Sequence, residues 1–473
     1  MSLDIEKVKE FSNKVWDEEI IPNLSKYVEI PNQSPVYDKD WATNGYTEQA
    51  INLIHDWIKR QNVAGLKSEI KTIPGLTPII FITIDATKPD AKTVLLYGHM
   101  DKQPPLTDQW DADLHPYKPV IKDGKLYGRG SSDDGYASFA SIAAIQALKA
   151  QNIPHDRYVI IIEGSEESGS IHLPAYIEQL SDEIQTPSVV VCLDSGCGNY
   201  EQLWITTSLR GLVAGDLKIR VLQEAVHSGS ASGIVPDSFR ILRQVIDKLE
   251  NGLTGEVNKR LHVEIPQERL DQIKVCAEVL GDTIFTEFLW DGETQPVTKD
   301  LNELMINKTW RPQLTVTGAD GLPPTSNAGN VLRVETKVKL SIRLPPTLDA
   351  NTATAIITEL LETNPPYGAT VSFTADKNAS GFNAPATAPW LSKALRESST
   401  TFYGKPEVHL GEGGSIPFMG MLLKRYPNSQ FVITGVLGPA SNAHGPNEFL
   451  HIDFGKKLTS CIVYLLNAHA NSQ

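Results

Sequence analysis

Three runs of consecutive apolar residues in the first half of the chain most constrain its fold. They are VLLYG, YVIIIEG and VVVCLD, and segments with helical periodicity, such as TEQAINLIHDWIKRQN and YASFASIAAIQALKAQN, accompany them. A strand that is apolar along its whole length is buried on both faces, so its sheet needs helices on both sides. The pattern therefore predicts an α/β fold with a mostly parallel sheet.

The pattern changes near Arg210 and resumes near Ala384. Between these points LVAGDLKIRVL and TKVKLSIRLPP alternate as half-buried strands do, and TATAIITELLETN has helical periodicity. A chain of 473 residues is long enough for two cores. We predict a discontinuous α/β catalytic domain over 1–209 and 384–473, with an inserted α+β domain over 210–383.

Composition narrows the class of protein. The net charge of -14 argues against a nucleic-acid partner, since phosphate binding needs a basic face. No apolar run is long enough to cross a bilayer, and the charged N-terminus lacks a signal-peptide pattern, so we expect a cytoplasmic enzyme without a membrane partner. Four cysteines without a CxxC pair favour a reducing compartment. For Cys197, a role as metal ligand or reactive thiol stays open beside the more common role in packing.

Acidic and histidine residues follow the apolar runs. The residues that follow the three runs are His99 and Asp101, then Glu166 and Glu167, then Asp194. The acidic pair Asp133 and Asp134 lies between the first two runs, and His444 comes later in the chain. In open α/β sheets, ligands bind beyond the carboxyl ends of the strands. Oxygen and imidazole donors without thiolates suit Zn, Mn or Co. The sequence therefore predicts a two-metal hydrolytic site.

The two acidic pairs allow more than one reading. Glu166 and Glu167 follow a buried strand, where adjacent carboxylates repel each other and lose hydration. A metal on one, with the other left as a base, relieves this, and a solvated acidic loop is the alternative. Asp133 and Asp134 precede a helix, where capping explains one of them. A cation-bridging role explains the other.

The remaining candidates are weak signals individually. Residues two apart in an extended segment share a face, so Asp101 is suited to orient the His99 imidazole for a metal. A strand-end histidine bonded to a turn aspartate is the alternative. Asp194 also has the position of a turn starter, and His444 that of an ordinary loop histidine.

Eight motifs carry a resemblance to a known family over nearly the whole chain. In order they are GHMD, YGRGSSDD, EGSEESGS, CLDSG, HSG, SIRLPP, GEGGSIP and AHGPNE. The chain resembles the M20 metallopeptidases, in particular the branch of cytosolic nonspecific dipeptidases and carnosine dipeptidases. The resemblance implies hydrolysis of dipeptides or very short peptides with a free C-terminal carboxylate. It implies a water bridging two divalent metal ions, with Zn²⁺ favoured and Mn²⁺ compatible.

The resemblance also implies roles in the first domain. The implied metal ligands are His99, Asp133, Glu167, Asp194 and His444, with Asp133 rather than Asp134 as the bridging ligand. Glu166 corresponds to the general base, and Asp101 to the acid that orients His99.

In the inserted domain, the resemblance implies a lid and a dimer interface. His227 corresponds to a histidine supplied to the partner subunit's active site, where it stabilises the oxyanion, which implies a homodimer. Arg343, Gly414 and Ser415 correspond to groups that hold the substrate carboxylate, and Asn330 to a polar substrate contact. Without the resemblance, His227 reads as a surface turn residue and Arg343 as an exposed strand residue.

The chain departs from the family pattern at two places. Gly135 and Tyr136 stand where the family commonly has Lys-Gly, and Arg333 where it often has Pro. These departures affect the expected substrate preference more than the reaction. Hydrolysis of N-acyl amino acids, as in deacetylases and aminoacylases, is the alternative activity. A non-catalytic homologue and a thiol enzyme using Cys197 are the alternatives outside metal-dependent hydrolysis.

Overall fold

A six-stranded sheet forms the centre of the first of the two units into which the chain divides. The computed structural model describes residues 2–414 and 416–472. The first unit comprises Met1–Thr207, Ala384–Leu410 and Met421–Gln473. In sheet order the strands are Leu66–Lys71, Ile79–Ile84, Arg157–Glu163, Thr93–His99, Val189–Cys192 and Gln430–Ile433. The last four strands are mutually parallel. The second strand, Ile79–Ile84, pairs antiparallel with both of its neighbours, so it alone runs opposite to the rest of a mostly parallel sheet.

Helices accompany these strands as the periodicity predicts. The helices of this unit are Ile5–Val15, Ile21–Val28, Tyr46–Arg60, Tyr136–Ala150, Leu173–Gln179, Ser181–Ile184, Pro389–Tyr403 and Ile452–Ala470. A small antiparallel sheet contains Val120–Lys122, Lys125–Tyr127 and Phe449–His451. Within the described residues, no helix combines the length and apolarity needed to cross a membrane.

The helix Tyr136–Ala150 is mostly buried within the first unit. Twelve of its fifteen residues are buried, and most of them are Ala, Ser or Ile. A Cβ at Gly98 would come within 2.9 Å of the Ala137 Cβ, so the helix start and the strand end are in close contact. Small residues therefore bring the segment just before this helix close to the carboxyl end of the strand Thr93–His99.

The second unit is built around an antiparallel sheet. It comprises Ser208–Asn383 together with Gly411–Gly420. In sheet order its strands are Gln313–Asp320, Glu335–Leu344, Gly211–Arg220 and Thr370–Ala379. Burial alternates along the two central strands, and their buried residues form one core with the helices Ser238–Ile246 and Ala350–Glu362.

Further elements complete the second unit. They are the strand pair Val226–His227 and Val331–Leu332 and the helices Ser228–Ala231, Gln267–Leu280, Thr283–Thr286 and Leu301–Thr309. Three further strands and one helix, Trp204–Leu209, Phe382–Asn383, Val408–Glu412 and Pro417–Arg425, lie where the chain passes between the units. The predicted fold class, α/β with an α+β insertion, is confirmed. The second unit also includes 411–420, which the predicted boundaries place in the catalytic domain.

A buried contact between histidine and aspartate links the helix Ile452–Ala470 to the amino-terminal edge of the large sheet. His469 Nδ1 lies 2.8 Å from Asp156 Oδ2, and both side chains are almost fully buried. The other ring nitrogen of His469 lies 2.8 Å from Ser188 Oγ. Burial acts to raise the pKa of Asp156, but the His469 ring and the Lys92 amide outweigh it and lower the pKa. Asp156 is therefore stabilised as the anion in the folded state.

We expect Asp156→Asn to lower the free energy of unfolding by about 3 kcal/mol near neutral pH, because the substitution leaves a buried partner uncompensated. A carboxyl with a lowered folded pKa contributes stability above its unfolded pKa and loses it as the pH falls through the folded pKa. The deficit should therefore shrink below about pH 4. Urea unfolding from pH 3 to pH 8 measures it, with exposed Asp182→Asn as the control. A pH-independent deficit would contradict the ionic role.

Candidate metal centre

The parallel strands bring the predicted donor residues to one edge of the sheet. His99 is the last residue of its strand and pairs with Glu163, the last residue of the neighbouring strand. The turn after Glu163 carries Glu166 and Glu167, and Asp194 follows the next strand. Because parallel strands present their carboxyl ends on the same side, these loops meet there.

His99 lies among three aspartates and is fully buried. Its Nε2 is 3.2 Å from Asp133 Oδ1 and 3.7 Å from Asp194 Oδ1. Its Nδ1 is 3.1 Å from the carbonyl oxygen of Asp101 and 3.5 Å from the Asp101 carboxylate. Burial acts to lower the pKa of His99, but these carboxylates, Asp194 foremost, outweigh it and raise the pKa. The surroundings of His99 therefore favour positive charge.

The two carboxylate oxygens of Asp133 face two different histidines. Oδ1 lies toward His99, while Oδ2 lies 2.9 Å from His444 Nε2. Burial acts to raise the pKa of Asp133, but the two imidazoles outweigh it and lower the pKa. A carboxylate that uses its two oxygens in different directions has the geometry of a bridging ligand.

His444 and Glu167 lie on the other side of Asp133. His444 Nε2 is 3.2 Å from Glu167 Oε2, which also accepts a hydrogen bond of 2.5 Å from the Gln103 amide. Burial, followed by the charge of Asp133, raises the pKa of Glu167 to about 7. Burial acts to lower the pKa of His444, but Asp133 and Glu167 raise it to about 11. The His444 side chain is 57% exposed, so this side of the cluster is open to solvent.

Asp101 holds the turn that carries the two glutamates. Its Oδ1 accepts a hydrogen bond of 3.0 Å from the Glu166 amide, and its Oδ2 accepts one of 3.0 Å from the Glu167 amide. The sequence predicted a role for Asp101 in orienting His99 but not its contacts with the glutamate turn. Burial and the negative charge of Asp194 raise the pKa of Glu166. Asp101 therefore links the position of His99 to that of both glutamates.

Asp134 also belongs to the cluster, although no ligand role was predicted for it. Its Oδ2 accepts a hydrogen bond of 3.3 Å from the His99 amide, and its buried Oδ1 has no hydrogen-bond partner. The Asp133–Asp134 peptide bond is cis. Burial and the charge of Asp194 raise the pKa of Asp134.

The donor set fits divalent cations. Two groups of side chains have ligand atoms within 4.8 Å of one another: His99, Asp133 and Glu167, and His99, Asp134 and Asp194. Glu167 Oε1, like Asp134 Oδ1, is buried without a hydrogen-bond partner. Uncompensated buried oxygens are costly, and a cation satisfies them. A pair of metal ions would therefore stabilise these side chains better than their contacts with one another do.

The sequence of the chain matches a family of known proteins. The sequence model of Peptidase family M20/M25/M40 matches residues 95–468, most of the chain. The chain belongs to this family. The cysteinylglycine-S-conjugate dipeptidase of Corynebacterium striatum is 27% identical over 371 residues, covering 76% of this chain and 77% of the relative. The Cys-Gly metallodipeptidase DUG1 of Saccharomyces cerevisiae is 27% identical over 458 residues, 91% of each chain.

Solved structures share the fold of this M20 peptidase. The dipeptidase Dug1p of Saccharomyces cerevisiae superposes with a TM-score of 0.74 at 21% identity, and human carnosine dipeptidase 1 with 0.75 at 20%. Both comparisons cover 100% of each chain. A dinuclear metal-binding M20 peptidase of Bacillus subtilis superposes with 0.57 at 14% identity, covering 96% of this chain and 98% of that one. The predicted family is confirmed, while the roles of individual residues stay predictions.

In this M20 peptidase, the surroundings of Gly135 explain why it stands where the family commonly has lysine. A Cβ at Gly135 would come within 2.4 Å of the Tyr27 ring, so the site leaves no room for a side chain. A buried lysine, Lys102, lies 4.0 Å from the centre of the same ring. Its Nζ donates hydrogen bonds to the carbonyl oxygens of Tyr27 and Ile30, at 2.8 and 2.6 Å. The sequence gave no reason to single out Lys102.

Two predicted residues of the second unit are neighbours. His227 pairs with Val331 in a short antiparallel ladder, and the carbonyl oxygen of Asn330 accepts a hydrogen bond of 2.9 Å from the Ser228 amide. The His227 side chain is exposed within its unit, and its Nδ1 accepts a hydrogen bond of 3.1 Å from the Gly229 amide.

Arg343 has an arginine neighbour that the sequence reasoning missed. Arg343 is half-buried in the strand Glu335–Leu344. Burial and the positive charge of Arg343 lower the pKa of Arg210 to about 10. Arg210 donates hydrogen bonds to the carbonyl oxygens of Gly413, at 3.2 Å, and Asn307, at 3.3 Å. Arg210 thus holds the residue before Gly414, while Ser415 lies outside the described residues.

Glu163 is a further buried acid that the sequence reasoning passed over. It accepts hydrogen bonds from the hydroxyl groups of Tyr97 at 2.6 Å, Ser170 at 2.7 Å and Ser165 at 3.1 Å. Burial, followed by the charge of Asp101, raises the pKa of Glu163 from 4.5 to about 7. Its position at the end of the apolar run RYVIIIE was the one sequence feature that pointed to a buried acid.

We expect Glu163→Gln to stabilise the metal-free protein relative to wild type as the pH rises from 4.5 to 8. A carboxyl with a raised folded pKa contributes stability below its unfolded pKa and loses it as the pH rises through the folded pKa. Glutamine cannot ionise, so the difference in unfolding free energy should grow by about 3 kcal/mol at most. Urea unfolding across this range measures it, with exposed Glu48→Gln as the control. Parallel pH profiles would refute the prediction.

Proposed function

We propose that this M20 peptidase is a metal-dependent dipeptidase that hydrolyses the amide bond of dipeptides or very short peptides with a free C-terminal carboxylate. The observation that supports this most strongly is the position of Asp133, whose two oxygens face His99 and His444 from within a buried group of acids. The dipeptidase names of the relatives support the same reaction.

We assign the metal ligands as the resemblance implies. His99, Asp133 and Asp194 would hold one ion, and Asp133, Glu167 and His444 would hold the other. Nitrogen and oxygen donors without thiolates suit Zn²⁺ best and are compatible with Mn²⁺. When bound, the ions polarise the scissile carbonyl and lower the pKa of water toward neutrality.

Glu166 is the proposed general base. It would take a proton from the attacking water and later deliver it to the leaving amine. Burial, followed by the negative charge of Asp194, raises the pKa of Glu166 and so favours proton binding by this carboxyl. Asp101 fixes the backbone of Glu166 and so determines where this carboxyl is placed.

The second unit is the proposed lid and dimer interface. Arg343, with Gly414 and Ser415, would hold the free carboxylate of the substrate, and Asn330 would contact the substrate through its amide. His227 would reach the active site of a second subunit and stabilise the oxyanion, as its exposure within its own unit allows. We further propose a cytoplasmic location, since four cysteines without a CxxC pair in a chain of this length are typical of a reducing compartment.

Glu166→Gln should lower kcat by about 10²–10⁴-fold, because the proton transfer loses its base. The variant should still bind two metal ions, as measured by elemental analysis after gel filtration. Exposed Glu48→Gln is the control and should keep wild-type activity. Full hydrolysis by a Glu166→Gln protein that holds two ions would refute the assignment of the base.

A substrate panel tests the carboxylate anchor. We expect free dipeptides to be hydrolysed, and the same dipeptides with a C-terminal amide to show kcat/KM values about 10²-fold lower, because a charge-assisted contact is lost. Arg343→Met should remove this preference. Faster hydrolysis of N-acetyl amino acids than of dipeptides would favour the alternative amidohydrolase activity.

A mixing experiment tests the shared active site. His227→Ala and Glu166→Gln proteins should each be nearly inactive, because each lacks one group in every site. After subunit exchange, half of the dimers are mixed, and each has one intact site, so activity should recover to about a quarter of wild type. No recovery despite subunit exchange, or full activity of His227→Ala alone, would refute the exchange of His227 between subunits.

A further inference from the structure

Glu448 is a fully buried carboxylate that receives its hydrogen bonds from the segment before and including Asp133. The donors are the amides of Gly130 (3.0 and 3.1 Å), Ser132 (3.1 Å) and Asp133 (3.2 Å) and the Ser132 hydroxyl (3.0 Å). Arg129 Nη1 donates a further bond of 2.8 Å. One side chain near the C-terminus therefore fixes the backbone that carries the proposed bridging ligand.

Arg129 extends this connection to the loop of His444. Its Nη2 donates a hydrogen bond of 2.7 Å to the carbonyl oxygen of Gly445, and its Nε donates one of 3.1 Å to that of Pro104. Arg129 is 1% exposed. The guanidinium thus contacts the backbone next to His444, and its partner Glu448 contacts the backbone of Asp133.

The His444 loop needs such support. Asn442, His444 and Asn447 have φ values of 52°, 65° and 61°. Left-handed backbone at non-glycine residues costs about 1 kcal/mol or more each and persists only where the surroundings hold it. A buried ion pair is a poor source of net stability, but it fixes geometry well when its hydrogen bonds are satisfied.

We propose that Arg129 and Glu448 are positioning residues that set the separation of Asp133 and His444, and hence the affinity of the metal site that these two share with Glu167. This rests on the proposed function. Arg129 bonds to the loop of His444, so its loss should weaken that one site. Glu448 accepts a hydrogen bond from the amide of Asp133, the residue that would be a ligand of both ions, so its loss should weaken both sites.

The test is Zn²⁺ titration of metal-free protein against a competing chromogenic chelator. Loss of an outer partner of a metal ligand typically costs 10–100-fold in affinity. For Arg129→Lys, which keeps the charge but loses the planar fork, we expect this loss at one of two binding steps. For Glu448→Gln we expect it at both steps. The hydrolysis of a dipeptide is measured alongside.

Glu407, which pairs with the exposed Arg396, gives a control carboxylate in the same unit. The paired atoms are 3.6 Å apart, and Glu407 is also buried. Glu407→Gln should leave both zinc affinities unchanged. Wild-type affinities in Arg129→Lys and Glu448→Gln, or an equal change in Glu407→Gln, would overturn the proposal.

Two further outcomes are decisive. Should Glu448→Gln fail to fold, the Arg129→Lys variant tests the proposal alone, because only one of its two zinc-binding steps should lose affinity. A wild-type protein that binds two ions and cleaves dipeptides, beside variants with unchanged affinities, would overturn the positioning role and leave the proposed function standing. A wild-type protein that binds fewer than two ions would overturn both.

Discussion

Repulsion between buried carboxylates at the carboxyl edge of the large sheet is the constraint on which the first unit depends. Asp133, Asp134, Glu167 and Asp194 have ligand atoms within 4.8 Å of His99, and Glu166 lies next to Glu167 in the same turn. Buried like charges raise one another's pKa values and destabilise the fold unless cations compensate them. Two imidazoles lie within reach of Asp133, and they provide the compensation that the protein itself can supply.

The surrounding structure keeps these groups in place. Parallel strands deliver the loops to one edge, and the close contact at Gly98 brings the segment before the helix Tyr136–Ala150 up to His99. Asp101 holds the glutamate turn by its backbone, so hydrogen bonds to amides rather than side-chain packing determine its position. The site is therefore positioned mainly by backbone contacts.

Much of this could be predicted from the sequence. Continuous apolar runs indicated the buried parallel strands, and polar residues at their ends indicated the site, because both signals are local. The partners of Glu448 could not be predicted, because hydrogen bonds between residues more than 300 positions apart leave no local pattern. The same holds for Arg210, whose partners Asn307 and Gly413 come from distant segments. Residues 411–420 look like their neighbours in composition, so their place in the second unit was not predictable.

The order of these segments along the chain has a consequence for synthesis. The edge strand Gln430–Ile433, His444 and Glu448 follow the whole of the second unit, whereas the other donors precede it. Chains emerge from the ribosome N-terminal end first, and domains tend to fold as they emerge. The antiparallel unit can therefore fold while the large sheet still lacks an edge strand. The acidic cluster is then without His444 until the segment that carries it is translated, so a chain stalled before that segment would lack a complete donor set.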